Sequence, residues 1–153
     1  MIEERLKELG LELPAAVKPV YEYVPVVIHG GVAYVSGQLP KSGDDVRHKG
    51  KVGAEVSLEA AQDDARLCVL HALACLRQAL NGDLGRLERI LKVTGFVASA
   101  PGFNDQPKVI DAASKLLGQL LGEDGRHARS AVGVFELPRN TPVEIEFIVA
   151  VRS

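Results

Sequence analysis

The sequence has little of what a nucleic-acid surface requires. Eighteen Lys and Arg stand against twenty Asp and Glu, giving a net charge of −2, and aromatic residues make up only 5% with no Trp. A phosphate backbone is held by a positive field, and single strands by rows of stacking rings. Nucleic acid is therefore disfavoured as a partner, short of a local basic patch. No apolar run approaches the roughly 18 residues of a membrane span, so no membrane association is expected. The opening segment from Met1 to Leu9 is charged throughout and does not supply a signal peptide's apolar core; the expected location is the cytoplasm. Only two cysteines occur, Cys68 and Cys75, inside a helical pattern. Seven helical residues advance about 10 Å, beyond the roughly 7 Å between bridged Cα atoms, so these are expected to be reduced, space-filling thiols. The four histidines, His29, His48, His71 and His127, lack metal-ligand pairing, and no metal centre is expected. His71, mid-helix among apolar neighbours, reads as packed or interfacial. There is no Gly-rich phosphate loop, no Gly-x-Ser-x-Gly elbow and no internal repeat.

What is present suits one domain over 1–153, with 46% hydrophobic and 25% charged residues. Residues 2–9 pattern as a short amphipathic helix with Leu6 and Leu9 on one side and Gly10 as its stop. An extended segment with Pro14 and Pro19 follows. Strands are expected over 24–29 and 32–36 around the Gly30-Gly31 turn, with a polar loop over 39–51 and a short edge strand over 52–56. Ser57 offers an N-cap, and Leu58, Ala61, Ala65, Cys68, Ala72, Cys75 and Ala79 recur at three- and four-residue steps, one face of a helix ending near Leu80 at Asn81-Gly82. That face is small enough to lie close on a sheet. A strand over 90–97, a helix over 104–121 and strands over 128–135 and 143–151 complete an α+β order, a mixed sheet with two long helices on one face. The last strand is apolar on both sides beyond Glu146, so neighbouring subunits are expected to cover the other face.

Strand alternation puts His127, Arg129, Ala131, Gly133 and Phe135 on one face. Arg129, with small neighbours Ala131 and Gly133, either grips a carboxylate with its planar fork of donors or forms an ion pair with Glu144 or Glu146. Glu144 and Glu146 share a face of the last strand; a carboxylate there either holds a water and passes protons or pairs structurally. Ser36-Gly37-Gln38 closes the second strand, where Gly37 permits close backbone approach and Ser36 one hydrogen bond, or serves as a turn residue. Tyr23 either shields a pocket or packs with its hydroxyl in water.

Taken in order, Tyr23-Val24-Pro25, Tyr34-Val35-Ser36-Gly37-Gln38-Leu39-Pro40, Ala128-Arg129-Ser130-Ala131-Val132-Gly133-Val134, Leu137-Pro138 and Val143-Glu144-Ile145-Glu146 resemble the YjgF/RidA pattern over roughly residues 20–151. The Ser-Gly-Gln and Ala-Arg-Ser blocks together are the specific part. The resemblance implies a chorismate-mutase-like α+β fold and a homotrimer with clefts between subunits. It also implies hydrolysis of 2-imino or enamine acids, of the 2-aminoacrylate and 2-iminopropanoate type, to 2-oxo acids and ammonia without a cofactor. By the same resemblance Arg129 binds the substrate carboxylate and Glu144 positions the attacking water, while Ser36, Gly37 and Tyr23 line the cleft. Many deaminase members carry cysteine where this chain has Ala131; the contact there is attributed to the backbone, which alanine retains. The chain also has a longer 39–56 segment and a Gly125-Arg126-His127 lead-in, as a divergent branch would. A non-catalytic module binding a small carboxylate is the alternative, and a ribonuclease or translation inhibitor is a remoter one.

Overall fold

The computed structural model describes residues 1–16, 18 and 22–153; of the expected extended segment, Val17, Pro19 and Val20 lie outside this description. Helix α1, Ile2–Glu8, buries Ile2 and Leu6, whereas Leu9, expected beside Leu6, is exposed. The helix has already ended at Leu9, so the 3.6-residue spacing no longer applies there. Strands β1, Val26–His29, and β2, Val32–Gln38, form the expected hairpin across Gly30 and Gly31, both at positive φ. The 39–51 segment contains a two-residue hairpin, β3 at Lys41–Ser42 and β4 at Asp45–Val46.

The expected edge strand over 52–56 is not one. Gly53 takes φ +92°, so the chain turns, and only bridges remain: Val52 to Val56, and Val52 to Ser99 at the end of a later strand. Both valines are buried, so their apolar character marks a tucked turn.

Helix α2, Leu58–Ala79, begins where the Ser57 hydroxyl accepts the Ala60 N–H at 3.1 Å, and stops at Asn81 and Gly82, both at positive φ. Its small face (Ala61, Ala65, Cys68, Ala72) is buried against the sheet. Strand β5, Leu87–Ala98, helix α3, Gln106–Leu121, strand β6, Ala128–Val134, and strand β7, Val143–Val151, follow. The sheet order is β1-β2-β7-β5-β6, antiparallel throughout except for β5 with β6. That one parallel pair needs a crossover, which α3 supplies.

Along β7, Val143, Ile145, Phe147, Val149 and Val151 are buried toward the helices, while Glu144, Glu146, Ile148 and Ala150 alternate onto the opposite face. In register with them, that second face displays Tyr34, 50% exposed, and Val132, 43% exposed. No helix is long and apolar enough to cross a membrane among the described residues.

Candidate functional site

Between Val35 and Gln38 strand β2 advances three residues while β7 advances two, from Phe147 to Ile145. The extra residue makes Ser36-Gly37 a bulge, a device that re-aims side chains at a strand end. The Ser36 amide donates to the Pro25 carbonyl at 2.9 Å and its hydroxyl to the Val24 carbonyl at 3.1 Å, which ties the segment carrying Tyr23 across the strand. Gly37 leaves a gap that the Glu144 side chain fills: a Cβ there would stand 2.7 Å from Glu144 Oε1. The result is a cavity of about 600 Å³, walled by Tyr23, Ser36, Gly37 and Glu144 together with Gln38, Lys41, His71, Cys75 and Arg139.

Burial raises the Glu144 pKa above its ordinary 4.5, and the neighbouring charge of Glu146 adds to the effect. Such a carboxyl gives and takes a proton closer to neutrality than a solvated one. His71 is pushed the other way, toward the neutral ring, by burial and by the Lys41 charge. Its Nε2 lies 2.9 Å from the Lys41 carbonyl, which fixes Nε2 as the protonated nitrogen. Burial raises the Cys75 thiol, which stays protonated and points its sulfur at Gln38 Oε1, 3.6 Å away. It is poorly suited to nucleophilic attack.

Tyr23, Ser36, Gly37 and Glu144 thus converge. Arg129 and Ala131 do not join them within one chain. Both lie on the helix-facing side of β6, with β5 interposed before β7, whereas Glu144 alternates to the opposite face. For the same reason Arg129 does not pair with Glu144 or Glu146. Its Nη1 donates instead to Asp111 Oδ1 at 2.8 Å and Ser114 Oγ at 3.1 Å, both on α3. Ser114 is also 2.9 Å from His127 Nε2, and His127 Nδ1 is 2.6 Å from the Gly125 carbonyl. The set closes when Nδ1–H donates to Gly125, and Ser114 donates to Nε2 while accepting from Arg129. The remaining nitrogens of the guanidinium edge, Nε and Nη2, form no hydrogen bond among the described residues, beside a hollow of about 280 Å³. Ala131 stands opposite Gly95 and packs partly against the core. Glu146 lies on the open face in register with Thr94.

The sequence as a whole matches a known family. The family model described as "YjgF/chorismate_mutase-like, putative endoribonuclease" matches residues 3–149. The chain belongs to the YjgF/RidA superfamily. Within it, protein TCP17 of Trypanosoma cruzi is 40% identical over 153 residues, covering 99% of this chain and 95% of that protein. A 2-iminobutanoate/2-iminopropanoate deaminase of Dermatophagoides farinae is 30% identical over 141 residues, covering 92% and 94%. The crystal structure of Atu1372 from Agrobacterium tumefaciens, 49% identical, superimposes with a TM-score of 0.92 over 99% of this chain and 92% of that one. The superfamily's chorismate-mutase-like α+β fold is the fold described above.

Lys41, His71, Cys75 and Arg139 were not legible as cavity residues from local patterns. The i, i+4 spacing of His71 and Cys75 does put both on one side of α2, but only the 39–46 hairpin and the 138–140 turn turn that side into a wall. Among the described residues no three His, Cys, Asp or Glu side chains lie together as a metal site.

Proposed function

We propose that this cavity, completed by Arg129 of an adjoining subunit in a homotrimer, hydrolyses 2-imino and enamine acids to 2-oxo acids and ammonia. The observation that carries the reading is the Glu144 carboxyl lodged against the side-chain-free backbone of Gly37, half-buried and raised in pKa. Glu144 draws a proton from a water whose oxygen adds to C2 of the imine. The proton passes to nitrogen, and collapse of the carbinolamine expels ammonia and leaves the 2-oxo acid. An enamine first takes a proton at C3 to become the imine. An imine carbon is already electrophilic, so orientation and a placed water suffice, and no strong nucleophile is required. The protonated Cys75 fits that scheme.

Orientation comes from Arg129, whose free guanidinium edge suits a two-point grip on the substrate carboxylate. The separation of Arg129 from Glu144 in a single chain supports a shared site. So do the apolar residues on the open sheet face, Tyr34, Val132 and Ile148, which a second chain would cover. The 30% identical deaminase relative supports the reaction class.

Arg129→Ala is expected to abolish ammonia release from 2-iminopropanoate generated in situ by an amino-acid oxidase, with the oligomer intact by light scattering. Undiminished turnover by that variant refutes the assignment.

A further inference from the structure

Three cations line the cavity, Lys18, Lys41 and Arg139, and of these Lys18 is exposed. Arg139 is committed, donating to the Asp44 carbonyl at 2.7 Å and lying 3.4 Å from Asp45 Oδ1. Lys41 is half-buried, lines the same wall and has no acidic or carbonyl partner for its ammonium among the described residues. Its backbone is firmly held: the amide donates to the Leu39 carbonyl at 2.9 Å, the carbonyl accepts from His71, and the residue pairs with Val46 in the hairpin. Arg139 grips the tip of that hairpin from the other side. Lys41 shares the cavity wall with His71 and Cys75, and its charge acts on both.

A cation without a partner in the wall of a cleft attracts an anionic group. A 2-imino monocarboxylate offers one anionic group, and Arg129 of the adjoining subunit already serves it. We infer that Lys41 receives a second anionic group, so the substrates are 2-imino or enamine dicarboxylates, with the distal carboxylate on Lys41 and the proximal one on Arg129. The inference rests on the deaminase reading for its chemistry and on the shared site for the place of the proximal carboxylate.

The test compares the full oligomeric protein with Lys41→Met and Lys41→Arg. Calorimetry measures affinity for 2-oxoglutarate, a dianion, and for 2-oxobutyrate, a monoanion of the product class. Oxidase-coupled assays then compare the imines formed from glutamate and alanine. The native protein is expected to prefer the dianion roughly tenfold or more, the worth of one charge-assisted hydrogen bond. Lys41→Met brings the ratio close to one, and Lys41→Arg retains a preference. A merely structural lysine would weaken both ligands alike and leave the ratio intact. A native ratio near one, or a ratio that survives Lys41→Met, overturns the inference. Dianion-selective binding that depends on Lys41, with neither imine turned over, refutes the deaminase reading and upholds the dicarboxylate site.

Discussion

At the residue scale, Glu144 shows how a site is made at the expense of the fold. Its carboxyl occupies the space that a side chain at position 37 would fill, and burial there raises its pKa from 4.5. The folded state therefore binds the proton more tightly than the unfolded chain, and stability falls as pH rises from about 4.5 through the raised folded value. Above that window the penalty on the charged form is complete; below 4.5 it is absent. Glu144→Gln, which carries no charge, is expected to melt at a higher temperature than the native protein at pH 7.5, with the difference shrinking toward zero at pH 4, while deaminase activity is lost. A variant less stable than the native protein at pH 7.5 would contradict this. Sequence alone singled out Glu144 and Gly37 because their neighbours form recognisable blocks. The reason the two belong together, a missing Cβ on one strand making room for a carboxyl on the next, needed the register of β2 against β7. Lys41, by contrast, sits in a polar loop whose composition resembles any solvated turn, and its environment is set by α2, 30 residues further on.

At the element scale, the helices and strands were readable because their periodicities are strong. The closeness of their packing was not. Gly95 looked like any interruption of a strand pattern, yet a Cβ there would stand 2.5 Å from Ile110 Cγ1 of α3. Ile110 is fully buried and cannot swing aside, so Gly95 sets how closely α3 approaches β5. Gly95→Ala is expected to cost about 1–3 kcal/mol by overpacking, measured from the denaturant midpoint at constant slope. Adding Ile110→Val, which trims the clashing side chain, should cost less than the sum of the two single changes; strict additivity would show that the pair is not coupled. Helix α3 also carries Asp111 and Ser114, which orient Arg129. A shift in its seating therefore reaches Arg129. The valines at 52 and 56 illustrate the opposite limit: two apolar residues four apart suit a strand or a tucked turn equally, and the positive φ of Gly53 decides.

At the scale of the whole molecule, the alternation of β6 and β7 has a consequence for assembly. Arg129 and Glu144 lie on opposite faces of one sheet with β5 between their strands, so no side-chain rearrangement within a chain joins them. If each site takes Glu144 from one subunit and Arg129 from the next, two inactive variants must rescue each other. In a cyclic trimer built from Arg129→Ala and Glu144→Gln chains, either mixed composition contains one interface where an intact Glu144 faces an intact Arg129. Random association of equal amounts makes three quarters of the trimers mixed, and so restores about a quarter of the native sites. Co-refolding or co-expressing the two variants should thus recover about a quarter of native ammonia release, whereas each alone stays inactive. The recovered fraction also reports geometry: a site confined to one subunit gives none, because every chain in the mixture lacks one of the two groups. Adding Gly37→Ala to the Arg129→Ala chain should remove the rescue, since that chain supplies the working Glu144 and the new Cβ would displace its carboxyl. The same change in the Glu144→Gln chain should leave the rescue in place, because that chain contributes only its arginine to the restored site.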